Sequence, residues 1–411
     1  MKNEGMVIIG AGEAGARAAA ELRAQGWQGA LTLIGGEREL PYERPPLSKQ
    51  QLTEPEPSPV TIVGQERLRE LDIRWIAGDP AVRIDRQAHE VELASGERIA
   101  YGRLLLATGA RPRKLSVAGN AAEELLYLRT FGDALRLREK LRPGGRVAII
   151  GGGFIGLEVA ASAKTIGCEV TLVEAAPRIL MRGVPPEIAE RVKRRHLEAG
   201  VHLRIGVGID RIEREGKLLA MKLADGKTVR SNTIVVGIGA VPETSLAEAC
   251  GLELDNGVKV DERLATNDPN IFAAGDCCSF PHPRYGGRRI RLEAWRNAQD
   301  QGTHAAASML GESQPFSDLP WFWSDQYDQT LQVAGLSDGS ASTVVRDLGE
   351  SGQLYFHLTD DGQIAAVSGV GPTGAYAKEF RLAELLIEQG ARPEPSALAN
   401  PSYRLKALLR A

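Results

Sequence analysis

Glycines at 151, 153 and 156, with glutamates at 158 and 174, are the spacing in this chain that most clearly implies chemistry. Gly151 permits a tight turn, Gly153 lets backbone approach a pyrophosphate, and Gly156 lets a helix pack closely on a strand. The free N–H groups and the dipole at the start of such a helix attract phosphate. Ile155 lies inside this turn. Glu174 stands where an acid can bind the hydroxyls of an adenosine ribose. The spacing recurs near the N-terminus as Gly10, Gly12 and Gly15, with Ala14 between. Two such turns in one chain imply two dinucleotides. The copies differ in one telling place, where the first has Arg17 and the second Glu158. A carboxylate in the first turn of a helix is favoured in its ionised form by the dipole.

The elements that must hold these residues are legible as apolar runs. Val147–Ile150 reads as a buried parallel strand, followed by a helix that stops at Gly167 and a second strand over 169–173. In the first copy the strand is Met6–Ile9, the helix runs to about Gln25, and the next strand is 31–34. Residues 104–109 form another buried strand. It ends in small residues, Thr108 and Gly109, which leave room for a cofactor at the carboxyl edge of a sheet. The run 233–239 ends likewise in Gly239. Residues 39–52, ELPYERPPLSKQQL, contain three prolines and no periodicity, and are expected to be irregular and cofactor-covering; Arg44 and Lys49 are their cations. Short strands are expected over 73–93, and helices over 130–141, 187–198, 296–310 and 375–389. From Leu319 the texture changes to alternating stretches with a hairpin signal at Asp360-Asp361-Gly362.

A length of 411 residues, 43% hydrophobic and 25% charged, describes a globular chain of two or three domains. The net charge of −3 gives no sign of nucleic acid or membrane as partner. No signal peptide or spanning run is visible, so the cytoplasm is the expected compartment. The four cysteines form no CxxC pair and no metal cage, and read as reduced, packed side chains.

IIGAGEAG, PYERPPLSK, LLLATGARPR, VAIIGGGFIGLEVA, IFAAGD, RLEAWRNAQ and PWFWSDQ, in this order, resemble the FAD-dependent NADH–ferredoxin reductases of bacterial oxygenase systems. The resemblance covers nearly the whole chain. It implies an α/β protein with two Rossmann-like dinucleotide-binding domains, as in glutathione reductase, and a C-terminal α+β domain. The boundaries expected are 1–110 and 244–319 for FAD, 111–243 for NAD and 320–411 for the C-terminal domain. It also implies FAD contacts from Ala14, Lys49, Val82, Arg129, Gly275, Asp276 and Trp295. Many members have an aspartate after the second strand where this chain has Gly36; Glu37 is then the acid left to reach the ribose.

The chemistry implied is hydride transfer from NADH to flavin, then release of electrons one at a time to a 2Fe–2S ferredoxin. Lys49 and Glu158 are expected to meet near the reacting ring, Lys49 supporting negative charge and Glu158 holding Lys49. Glu293 either lines the nicotinamide side or is an ordinary carboxylate at a helix entry. Trp321 and Trp323 alternate on one strand and share a face; by the resemblance Trp323 lies on the path to the ferredoxin. Arg288 and Arg289, in a run of four arginines, either guide docking or balance surface acids. Glu174 favours NADH over NADPH, and Arg178 nearby is the one cation that could reverse that preference. Two other readings remain open: an NADH oxidase or monodehydroascorbate-reductase-like enzyme, and a redox-sensing protein like apoptosis-inducing factor.

Overall fold

A computed structural model describes residues 5–117, 119–181 and 183–409. Contacts divide the chain into two compact units. One holds the residues up to Pro46 with Ser58–Arg111 and Ala240–Asp318; the other holds Leu47–Pro57, Pro112–Gly239 and the residues from Leu319 on.

The first unit is built on five parallel strands in the order Ile271–Ala273, Arg103–Leu106, Met6–Ile9, Leu31–Gly35, Arg74–Ala77. The central strands Met6–Ile9 and Leu31–Gly35 are buried at every residue and mainly apolar, as strands covered on both faces are. Met6–Ile9 feeds the helix Glu13–Ala24, which crosses the helix Trp295–Leu310 at close quarters. A Cβ on Gly302 would stand 2.4 Å from the carbonyl oxygen of Ala14, so only glycine permits the crossing. A three-stranded antiparallel sheet, Ala81–Asp85, Glu90–Leu93 and Arg98–Ala100, completes this part. Cys278–His282 and Arg288–Ile290 form an antiparallel hairpin.

The second unit repeats the theme. Its parallel strands run in the order His202–Ile205, Glu169–Glu174, Arg146–Ile150, Thr233–Val236. The helix Phe154–Ile166 is buried over most of its length and ends at Gly167 in the left-handed conformation. The helix Phe131–Lys140 opens with a capping box between Thr130 and Asp133. A three-stranded antiparallel sheet spans 209–231. The C-terminal part is a five-stranded antiparallel sheet, ordered Trp321–Gln326, Gln329–Gly335, Ile364–Pro372, Gln353–Leu358, Ser342–Asp347. The helix Ala377–Glu388 buries Phe380, Leu386 and Ile387 in the core shared with Leu354 and Phe356. Arg346, 1% exposed, donates to the carbonyls of Leu398, Asn400, Pro401 and Tyr403 and so fastens the last segment to this sheet.

The hairpin turn expected at 360–362 lies between paired strands. The proline-rich segment departs from its expected irregularity: Pro45–Ser48 is a 3-10 turn and Gln50–Thr53 one turn of α-helix. Tertiary hydrogen bonds hold them there. Ser162 Oγ donates to the carbonyl of Ser48 at 2.7 Å, and Arg138 donates to those of Leu52 and Pro55. Among the described residues no helix is long and apolar enough to cross a membrane.

Candidate active site

In the first unit the chain turns from strand to helix at Gly10, whose φ of +106° suits glycine. A Cβ there would lie 2.1 Å from the carbonyl oxygen of Ala107, and one on Gly15 would lie 1.9 Å from that of Gly10. At Gly12 a Cβ would meet nothing within 4 Å: this glycine keeps space open at the helix N-terminus, where phosphate is attracted. Beyond the next strand, Glu37 accepts from Tyr42 Oη at 2.5 Å and from Arg44 at 2.8 Å. Thr108 Oγ1 donates to the carbonyl of Glu243 at 2.6 Å, and Gly109 accepts the Glu243 N–H. The Gly275 N–H donates to Gln301 Oε1 at 2.7 Å, while Gln301 Nε2 is a buried donor with no protein partner. The Asp276 carbonyl accepts from Arg291, and Arg291 pairs with Glu293 at 2.7 Å. Trp295 opens its helix, and Val82 stands 52% exposed on its strand. An open cradle at a helix start and an unmet buried donor are features that fit a dinucleotide.

The second unit has the same cradle. Gly151 has φ +105°; a Cβ on it would lie 2.3 Å from the carbonyl oxygen of Gly237, and one on Gly156 would lie 2.1 Å from that of Gly151. Gly153 is open, as is Gly239, and Ile155 is exposed. Glu174 Oε2 accepts the Gly152 N–H at 2.6 Å and Oε1 accepts the Ala176 N–H at 2.7 Å. Arg178 donates to the carbonyls of Ile179, Leu180, Met181 and Val184. Its charge is committed to its own loop.

The structure brings Lys49 and Glu158 together. Lys49 Nζ lies 2.9 Å from Glu158 Oε2, with the carboxylate 5% exposed. Ser48 Oγ donates to the same oxygen at 2.5 Å, and Ser324 Oγ to Oε1 at 2.6 Å. A buried carboxylate needs such partners. Phe154, at the start of the helix, packs edge-on against Phe322 at 5.0 Å. Trp321 and Trp323 share a face as expected, stacked at 5.3 Å. The Trp323 Nε1–H donates to Asp325 at 3.0 Å. The backbone N–H of Arg129 donates to Asp133, at the entry to the capped helix.

Arg288 and Arg289 are not equivalent. Arg289 donates to the carbonyls of Val260 and Ser279 and lies 3.6 Å from Asp255, which fastens the hairpin. Arg288 is exposed, 5.9 Å from the Tyr285 ring. All four cysteines are free. Cys277 and Cys278 are fully buried, and burial raises both thiols.

The roles of Ser48, Ser324, Gln301 and Arg178 escape sequence reading. Ser324 lies within PWFWSDQ, but nothing in that spacing points its hydroxyl at a carboxylate 166 residues away.

Two parallel sheets, each feeding a glycine cradle into a helix, define a protein that binds two dinucleotides. Residues 5–302 match the pyridine nucleotide-disulphide oxidoreductase family and residues 321–409 the reductase C-terminal family. The ferredoxin–NAD(+) reductase component of the anthranilate 1,2-dioxygenase system of Burkholderia cepacia is 39% identical, with all of both chains covered. A ferredoxin reductase from Rhodopseudomonas palustris has 38% identity and a TM-score of 0.93 over 98% of this chain and 99% of that one. Putidaredoxin reductase, in its covalent complex with putidaredoxin, has 35% identity and a TM-score of 0.93 over 99% and 98%. The chain belongs to the ferredoxin–NAD(+) reductases of the pyridine nucleotide-disulphide oxidoreductase family, FAD- and NAD(H)-using enzymes.

Proposed function

We propose that this chain passes electrons from NADH, through FAD, to a 2Fe–2S ferredoxin that serves an oxygenase, either a Rieske dioxygenase or a P450. The observation that carries the reading is the buried Lys49–Glu158 pair beside the second glycine cradle, in a chain matched end to end by ferredoxin–NAD(+) reductases. Bound FAD supplies the step from two-electron to one-electron transfer. The first cradle, with Gly10, Gly12, Ala14, Gly15, Glu37, Arg44, Val82, Thr108, Gly109, Gly275, Asp276, Glu293 and Trp295, is assigned to FAD, together with Lys49 and Arg129. The second, with Gly151, Gly153, Ile155, Gly156, Glu174 and Gly239, is assigned to NADH. The matching domains are 1–110 with 244–319, and 111–243; residues 320–411 face the ferredoxin. The reaction belongs in the cytoplasm, where NADH is generated.

Lys49 brings a fixed positive charge to the place where hydride delivers negative charge. Glu158 orients Lys49 and one edge of the nicotinamide. Trp323 is assigned to the electron exit. For docking, Arg288 supplies exposed charge and Arg289 keeps its hairpin in shape. Arg288→Ala is therefore expected to raise the KM for ferredoxin and flatten its salt dependence, leaving flavin reduction by NADH intact.

The deciding experiment is steady-state turnover with NADH, with and without a 2Fe–2S ferredoxin. On this reading turnover should be fast with ferredoxin and slow without it. Equal turnover with oxygen alone would make the chain an oxidase, and a slow, persistent flavin–NAD complex would make it a sensor.

A further inference from the structure

We propose that Ser324 is a positioning residue for Glu158, at the end of a one-way chain of hydrogen bonds that begins at Tyr327 and passes through His196 and Gln326. The proposal rests on the assignment of Glu158 to the coenzyme site.

The direction of the chain follows from its charged end. Glu158, paired with Lys49, can only accept. The single hydroxyl hydrogen of Ser324 must therefore point to Glu158 Oε1, 2.6 Å away. The Ser324 oxygen then has only lone pairs to offer Gln326, whose Nε2 donates to it at 3.0 Å. This fixes the Gln326 amide, so its Oε1 must accept from His196 Nε2 at 2.8 Å. His196 is then neutral with its hydrogen on Nε2, and its Nδ1 accepts from Tyr327 Oη at 3.1 Å. The reverse order would set lone pair against lone pair between Ser324 and Glu158. Burial, against the Gln326 hydrogen bond and with the nearby Arg195 charge, lowers His196 to about 4, in keeping with a neutral ring.

Every member except Tyr327 is buried: Glu158 4%, Ser324 1%, Gln326 6% and His196 0% exposed. At this burial the groups satisfy one another, so each bond constrains the next. Arg195 anchors the far end. Its guanidinium lies 4.4 Å from the Tyr327 ring centroid and its Nε donates to Asp328 at 2.8 Å. The helix Pro186–Glu198 and the strand carrying Trp321 and Trp323 thus bear jointly on the orientation of one carboxylate.

Two measurements test this. In FAD-loaded protein labelled with 15N-histidine, His196 should be the Nε2–H tautomer and should not titrate between about pH 5.5 and 8. An Nδ1–H tautomer or a ring that becomes charged in this range would overturn the direction. In stopped-flow work, Ser324→Ala should lower the limiting rate of flavin reduction about tenfold, since it removes a hydrogen bond to a charged group. NADH affinity and FAD content should stay within about twofold of the parent's. Ser324→Thr, which keeps the hydroxyl, should recover the rate. Gln326→Glu, nearly isosteric but unable to donate when ionised, should slow reduction too, and it tests the proposal if Ser324→Ala does not fold. Wild-type rates in Ser324→Ala or Gln326→Glu, with Glu158→Gln still slow, would sink the inference alone. Wild-type rates in Glu158→Gln as well would sink the assignment of Glu158 on which it stands.

Discussion

The two glycine cradles are nearly the same object in backbone and different objects in side chain. Gly10 and Gly151 have φ of +106° and +105°. Gly12 and Gly153 both open onto empty space at a helix start. Strand register aligns Ile9 with Ile34 and Ile150 with Val173, so Gly35 corresponds to Glu174. At that position the first copy cannot hold a side chain: a Cβ on Gly35 would lie 2.3 Å from Trp75 and 3.3 Å from the Ala11 methyl. The second copy has Gly152 in place of Ala11, and Glu174 reaches its N–H. Arg17, partly exposed and paired with Glu13, corresponds to buried Glu158. The pyrophosphate seat is thus a backbone property and can be duplicated. What the seat binds, and what happens beside it, is decided by a few side chains whose partners come from elsewhere in the chain.

The largest expected effect separates the two seats. Gly12→Val and Gly153→Val each place a side chain where the backbone leaves room, so both should fold. Gly12→Val should lose FAD, read as the loss of flavin absorbance in purified protein. Gly153→Val should retain FAD but require about a hundredfold more NADH for half-maximal reduction. FAD retained in the first variant would mean that the assignment of the cradles is reversed.

Next comes the corresponding pair of helix residues. Glu158→Gln removes the charge opposite Lys49 and should slow flavin reduction about a hundredfold with FAD still bound. Arg17→Gln, at the matching place in the first copy, should change the rate less than about twofold. Equal effects would mean that the two helices contribute alike to the chemistry.

The cradles, the strand ends and the shared face of Trp321 and Trp323 were legible in the sequence, because they depend on local spacing and backbone freedom. The pairing of Lys49 with Glu158 follows from the Arg17–Glu158 difference between the copies and the place of Lys49 in the proline-rich loop, together with the resemblance. The remainder was not legible because it depends on tertiary burial. Ser48 and Ser324 are ordinary hydroxyls until the fold brings them to a carboxylate 110 and 166 residues away. Arg178 looked able to welcome a phosphate, and its commitment to four carbonyls could not be read from its neighbours. The sequence offers Arg289 as a docking charge or a balance to surface acids; in the fold it fastens its hairpin. The turns within 45–53 exist because Ser162 and Arg138 bind their carbonyls. Long polar side chains have many ways to satisfy themselves, and local pattern does not choose among them.

A smaller effect concerns coenzyme choice, set by Glu174 at the strand-end position where the first cradle has Gly35. Glu174→Ala should narrow the preference for NADH over NADPH about tenfold, as kcat/KM, by removing a charge that repels a 2′-phosphate. Arg178→Ala should leave the preference unchanged and lower stability instead, because its loop carbonyls lose their donors. A large gain for NADPH in wild-type protein would show that Arg178 leaves its loop.

The smallest expected effect lies at the first residue of each helix, Glu13 in one cradle and Phe154 in the other. Glu13 has an 8% exposed side chain, and its Oε1 holds Arg17 at 2.7 Å. Burial raises its pKa above the ordinary 4.5 despite the Arg17 hydrogen bond and charge and a hydrogen bond with Trp295, and the charge of Glu43 adds to the rise. A raised carboxyl binds its proton more tightly in the folded state than in the unfolded one. Its contribution to stability is therefore full below the unfolded value of 4.5 and is lost as pH rises through the folded value. At neutral pH the charge of Glu13 is a cost. Glu13→Gln should then raise the Tm of the flavin-loaded protein by about 1–2 °C near pH 7, the gain shrinking to nothing near pH 4. The Arg17 pair and the helix dipole act the other way, each by a few tenths of a kcal/mol at an exposed site, about 0.3–0.5 for the pair. The net sign therefore measures whether burial or pairing governs this residue. Phe154→Leu, with no charge to titrate, should shift Tm by the same amount at both pH values. A Tm that falls at pH 7 in Glu13→Gln would show that pairing with Arg17 outweighs burial, and that the first cradle, like the second, is stabilised by an ion pair on its helix.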